Sequence, residues 1–242
     1  MIYLYDGSFK SLLSTIFLCY RHIENVSIKS EFEERNFLEE YFNREYSEEN
    51  YKRVRKSIVN NFSNRFYNSC YYVYLSDVNG REDIIARTLK GMYLNGYNYI
   101  NSSNTYPTEF RKILKNVSSE NHKYKGFLRF EQIDGGYYFA KFEPKANLLP
   151  LVIPHFISRM PNEKFVICDV ARKIAGVYNR GLEFIEVKNL KLNYTKEEED
   201  FKNAWRKYYS STKIKERENK KLMINNMPKR YWKFLPERLG TQ

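Results

Sequence analysis

The sequence predicts a mixed α+β protein, in which a helix-rich N-terminal half packs against a small, mostly antiparallel sheet flanked by helices. Three observations carry that prediction. Apolar residues recur at helical spacing in the first half, as in Phe9, Leu12, Leu13, Ile16 and Tyr20. Residues 127–142 alternate aromatic and polar on either side of Asp134-Gly135-Gly136, and Asp-Gly between alternating runs is a strong hairpin signal. Phe165-Val-Ile-Cys-Asp169 has the length and composition of a buried strand, and 174–178 can pair with it. Residues 1–120 form the mainly helical half and residues 121–242 the α+β half. The polar segment 118–125 is the best boundary between them, with no Pro/Gly-rich linker.

In chain order, Ile2-Tyr-Leu-Tyr5 reads as a strand that Asp6-Gly7 turns into a helix capped by Ser8. Such an opening can cradle a phosphate, but a lone Asp-Gly-Ser is no glycine-rich phosphate loop, and a purely structural turn is the better reading. Residues 24–49 carry nine Glu against Lys29, Arg35 and Arg44, with Phe37, Leu38, Tyr41 and Phe42 threaded through, which predicts a partly exposed helix with its connections. Residues 51–74 turn basic and aromatic, ending in a run that is a strand or the end of a buried helix on periodicity alone. A helix over 81–95 stops at Gly96, and Pro107 starts another carrying Phe110, Ile113, Leu114 and Val117. After the hairpin, a helical segment holds Pro150, Pro154, His155 and Arg159, and Pro154 removes one of its hydrogen bonds. In the tail, Thr195-Lys-Glu-Glu198 fits a capping box. Phe201, Trp205 and Tyr208 then form an aromatic stripe expected in the core, with Lys202, Arg206 and Lys207 facing outward.

Charge is the main functional signal. The 242 residues carry a net +12, and aromatics make up 17% of the chain. Residues 202–238 hold twelve Lys or Arg against three Glu, so +9 of that charge lies in one segment, interleaved with Trp205, Tyr208, Tyr209, Tyr231, Trp232 and Phe234. Cations beside aromatics suit a phosphate backbone whose bases can stack, and DNA is the partner this predicts; a solvated helix face is the alternative. Lys229, Arg230 and Trp232 are the most contact-like residues of the tail.

A second constellation lies in the centre. His155 and Arg159 share a helix face, and Asp169 ends an apolar strand followed by Arg172. His155 with Asp169 could do acid–base work while Arg129, Arg159 and Arg172 hold a phosphate. A core histidine and a turn-closing Asp169–Arg172 ion pair are the structural alternatives. Cys19, Cys70 and Cys168 have no ligand spacing and read as buried thiols of a reducing cytoplasm. No metal or cofactor motif, signal peptide or membrane-length apolar run is present, which predicts a cytoplasmic protein that binds no cofactor of its own.

Taken in order, Tyr5-Asp-Gly-Ser-Phe9, His122-Lys-Tyr-Lys-Gly126, Arg129-Phe130, Glu143-Pro144, His155-Phe156 with Arg159, Asp169 with Arg172, Arg217-Glu-Asn-Lys-Lys-Leu222 and Pro228-Lys-Arg-Tyr-Trp232 resemble an uncharacterised bacterial family, a domain of unknown function described as probable DNA-metabolism proteins. The resemblance implies a DNA-repair association and a radical-SAM partner enzyme encoded nearby; related domains are fused to uracil-DNA glycosylase-like domains. It carries over no catalytic residues. Three roles follow as expectations: a DNA-binding accessory protein serving the radical-SAM enzyme, a nucleic-acid-processing enzyme using His155 and Asp169, or a protein-interaction scaffold.

Overall fold

The computed structural model describes residues 1–36, 38–43, 45–188, 192–212, 214 and 219–236. Phe37, Arg44, Lys213, Lys215, Arg217 and Arg238, all used in the sequence reading, lie outside the described residues. The class is the mixed α+β that the sequence predicts. The chain divides into two compact units, Met1–Ser119 and Glu120–Gln242.

The first unit is built on β1 (Ile2–Tyr5), buried along its whole length. It is the middle strand of a parallel sheet, with β2 (Ser27–Ser30) on one side and β3 (Tyr41–Asn43) on the other. A strand covered on both faces reads as a continuous apolar run, which is why Ile-Tyr-Leu-Tyr shows no alternation. Parallel neighbours need a crossover, and α1 (Phe9–Cys19) supplies the first, its N-cap Ser8 accepting the Ser11 N–H at 3.1 Å. Here the expectation of a helix within 24–49 is corrected: the segment instead supplies β2 and β3 and their connections. The buried positions of β2 sit at period two, with Ile28 and Ser30 covered and Ser27 and Lys29 less so, while the glutamates lie in the connections and at the start of the next helix.

Helices α2 (Glu48–Asn61), α3 (Asn64–Tyr74), α4 (Arg81–Asn95) and α5 (Thr105–Phe127) follow. Serines cap α2 and α3, and Gly96 stops α4 with φ +80°. The run ending at Leu75 is therefore the end of a buried helix, with Cys70 and Val73 fully covered. The unit boundary falls inside α5, and the polar residues 118–125 are helical.

In the second unit, β4 (Glu131–Ile133) and β5 (Tyr137–Phe142) form the expected hairpin, and Gly135 and Gly136 both adopt positive φ, as its turn requires. The first strand starts later than the alternation suggested, because α5 continues to Phe127. With β6 (Phe165–Asp169), β7 (Ile174–Tyr178) and β8 (Leu182–Glu186) the sheet runs β4-β5-β6-β7-β8. All its pairings are antiparallel except β5–β6, which α6 (Leu149–Arg159) joins as a crossover. Helix α6 lies on the sheet, and a Cβ on Gly176 would stand 2.0 Å from Ile153 Cδ1, so the glycine sets how closely the helix packs. Pro154 is on the solvent side of α6, where its missing N–H costs least. The tail supplies α7 (Lys196–Ser211), α8 (Lys220–Asn226) and a 3₁₀ turn, Lys229–Phe234. Among the described residues no helix is long and apolar enough to cross a membrane.

Candidate nucleic-acid interface

Several residues that the sequence singles out converge on the loop 143–146, which follows β5. Asp169 is fully buried, and its Oδ1 accepts the N–H groups of Ala171 and Arg172, both at 3.1 Å. Its Oδ2 accepts Arg172 Nη1 at 2.9 Å; the same nitrogen donates to the Pro144 carbonyl at 3.0 Å, and Nη2 donates to that of Lys145. From the other side the buried Glu120 carboxylate accepts the N–H groups of Lys145 and Ala146, each at 3.2 Å, and Tyr124 donates to the Glu143 carbonyl at 2.8 Å. This is the turn-closing arrangement of Asp169 and Arg172, extended into a clasp on a neighbouring loop. No bond joins Asp169 to His155 among the described residues.

The tail residues Lys229, Arg230 and Trp232 divide in the same way. Tyr231 is buried between Tyr124 and Phe127, with ring centroids at 4.9 and 5.2 Å. Arg230 lies 3.5 Å from Glu120 and 2.7 Å from the Tyr231 hydroxyl, and the Trp232 indole N–H donates to the Met227 carbonyl at 2.9 Å. Two members of the motif therefore help to dock the 3₁₀ turn, while Lys229 is exposed.

His155 is half-buried on α6, and Arg159 is exposed one turn further on. Burial, then the charges of Lys125 and Arg159, hold its imidazole below the ordinary histidine value. Two cations beside a neutral imidazole form a surface suited to an anion.

The largest departure from expectation is α7. None of its residues is buried, and Phe201 and Tyr208 are 64% and 59% exposed, so the aromatic stripe is not core. Lys202, expected to face outward, is the well-covered side chain instead: its Nζ lies 2.7 Å from Glu131 Oε1 and 3.9 Å from the centre of the Tyr194 ring. Burial and the Glu131 carboxylate push the Tyr194 phenol up to about 12. Thr195 caps α7 as predicted, accepting the Glu198 N–H at 3.2 Å, but Glu198 turns away from the cap and accepts the Gln132 N–H at 2.9 Å. One glutamate thus ties α7 to the start of β4. Arg206 Nε donates to the Pro236 carbonyl at 3.2 Å and holds Pro236 against the same helix.

Between these elements lies a concavity of about 200 Å³, walled by Phe130, Phe201, Trp205 and Pro236 and edged by Arg129, Glu131, Glu198 and Lys202. The Phe130 ring is fixed edge-on against Phe156 and Phe165, at 4.9 and 5.8 Å. Arg129 donates to the Gly126 carbonyl at 3.0 Å, which places a cation at the C-terminus of α5 and on the rim of the concavity. Of the predicted contact residues, Arg129 stands here. His155 is linked to it through the neighbouring Phe156, whereas Asp169 and Arg172 belong to the clasp. The signal for the concavity was legible as Phe201-x-x-x-Trp205, but spacing alone does not say whether a partner covers a stripe.

A family model described as a domain of unknown function (DUF4130) matches residues 79–237. The matched span includes the clasp, α6, α7 and the 3₁₀ turn, and excludes Tyr5-Asp-Gly-Ser-Phe9. No curated protein matches the chain.

Proposed function

We propose a DNA-binding accessory role for this chain, which belongs to the DUF4130 family of unknown function. In this reading it holds nucleic acid for a partner enzyme of DNA repair or modification, and a radical-SAM protein is the partner that the sequence resemblance implies. The observation that carries the reading is the exposed Phe201 and Tyr208 of α7, at the start of the segment 202–238 that contributes +9 of the chain's +12. Large aromatic faces left in water beside clustered cations are the two components of single-strand binding: stacking for bases and charge for phosphates. The accessory reading is preferred over an enzyme using His155 and Asp169 because Asp169 is fully buried and its oxygens are bonded within the clasp. It is preferred over a pure scaffold because the exposed Phe201 and Tyr208 share α7 with the exposed cations Arg206 and Lys207, which joins stacking surface to charge.

The test is fluorescence anisotropy with single-stranded and double-stranded DNA across a salt series. The expected result is binding at low salt that weakens steeply as salt rises, with single strands preferred because their bases can reach the aromatic face. Absence of binding to either at low salt would overturn the reading and leave the partner-protein role.

A further inference from the structure

We propose that the concavity between α7 and the start of β4 is a pocket for one unstacked nucleobase, and that it selects bases presenting amino donors. The inference deepens the DNA-binding reading and rests on it. Its first support is charge. Arg129 and Lys202 are balanced by Glu131 and Glu198, so the lining is neutral in a chain that carries +12. Lys202 is engaged with Glu131, and Glu198 with the Gln132 N–H, so the lining holds no surplus charge for a phosphate. The uncharged part of a nucleotide gains most by entering, while its phosphate gains most by staying among the cations outside.

The second support is shape. About 200 Å³ between Phe130, Phe201 and Trp205 admits a flat ring, and those three side chains offer it aromatic surface. Phe130 is fixed by Phe156 and Phe165, whereas Phe201 is 64% exposed and able to close over an occupant. The third is hydrogen-bonding capacity. A carboxylate only accepts, and Glu131 is taken by Lys202 while Glu198 uses one oxygen for the Gln132 N–H, so the second oxygen of Glu198 is the acceptor that matches a base edge offering an amino group, as cytosine, adenine and guanine do and thymine does not.

Binding of short oligo(dC) and oligo(dT) by anisotropy, together with tryptophan fluorescence on titration with dCMP and dTMP, tests the proposal on wild-type protein and on Phe201→Ala, Trp205→Phe and Glu198→Gln. The last keeps an oxygen for the Gln132 N–H, and thermal melts confirm that each variant is folded. The expected result is tighter binding of oligo(dC) than oligo(dT), and quenching by dCMP that is lost in Trp205→Phe. Phe201→Ala should weaken oligo(dC) binding by about 5- to 150-fold, with an unchanged salt slope because no charge is altered. Glu198→Gln should narrow the gap between the two oligomers. Salt-dependent binding with equal affinities for both, or unaffected by Phe201→Ala, would overturn the pocket and leave the DNA-binding reading standing. If neither oligomer binds at low salt, that reading falls; dCMP quenching that requires Phe201 would then support a nucleotide pocket alone, and its absence would overturn both.

Discussion

Arg172 shows how a residue that reads as a phosphate ligand in sequence can hold the fold in space. One guanidinium reaches Asp169 Oδ2 and the carbonyls of Pro144 and Lys145, acceptors that come from two separate segments. Only a planar fork with several donors can serve all three together. Removing it would leave the fully buried Asp169 carboxylate without its cation. With Arg172 itself 27% exposed, Arg172→Ala is expected to destabilise the fold by about 2–3 kcal/mol and to lower Tm by roughly 5–10 °C. Arg172→Lys, which keeps the charge but loses the fork, should recover only part of this in a thermal melt. A variant as stable as wild type would return Arg172 to the list of binding residues. His155 gives a complementary prediction about pH. Its imidazole titrates below the ordinary value when folded, chiefly through burial and then through Lys125 and Arg159. As pH falls through the ordinary histidine value near 6.5, the unfolded chain takes up the proton first, so stability falls with acidification and the loss is complete below the folded value. The side chain is half-buried and not enclosed, so the effect is small, and His155→Gln should remove it. A phosphate seated between Lys125 and Arg159 would offset their charge, so the NMR titration midpoint of His155 should rise when oligonucleotide is added. No movement would place the DNA elsewhere.

At the scale of elements, what could be read in advance depended on whether an element's fate is set locally. The hairpin was legible because Asp134-Gly135-Gly136 needs positive φ at two adjacent residues, a property of those residues themselves. Helix α4 was legible from its apolar spacing and from the Gly96 stop. Strands β2 and β3 were not, because four and three residues are too short for a period-two pattern to stand out among nine glutamates. Strand β8 gave no signal either: every residue in it is exposed, so its place at the sheet edge comes from pairing with β7 and not from burial. Helix α7 was read correctly as a helix and wrongly as core. Its apolar face has the spacing of a packing surface, but packing is a fact about the neighbour, and across the Phe201 stripe there is a concavity instead. The candidate site was therefore half legible. Arg129 was named and lies on the rim, whereas Phe201 and Trp205 were seen and assigned to the interior.

At the scale of the whole molecule, the question is whether a net charge of +12 does work on a polyanion or only keeps the protein soluble, and the structure narrows which residues can answer it. Charge reversal at Lys229 together with Arg230 would be confounded, because Arg230 also lies against Glu120 and Tyr231 and helps to hold the 3₁₀ turn. Lys207 on α7 and Lys220 and Lys221 on α8 are exposed, and their reversal should leave the fold intact. The triple variant Lys207→Glu, Lys220→Glu, Lys221→Glu lowers the net charge to +6 while keeping Phe201, Trp205 and the concavity. If those cations neutralise phosphates, each contributes about 0.7 to the slope of log affinity against log salt on a single strand. The triple variant should then lose up to roughly 2 units of slope and bind one to two orders of magnitude more weakly at low salt. At high salt, where counterion release matters little and stacking persists, the two proteins should converge. That convergence separates the two contributions, since loss of Phe201 lowers affinity at every salt concentration and loss of the lysines does so only where phosphates attract. An unchanged slope with an unchanged melt would mean that these three lysines face water, and that any nucleic acid is held without them.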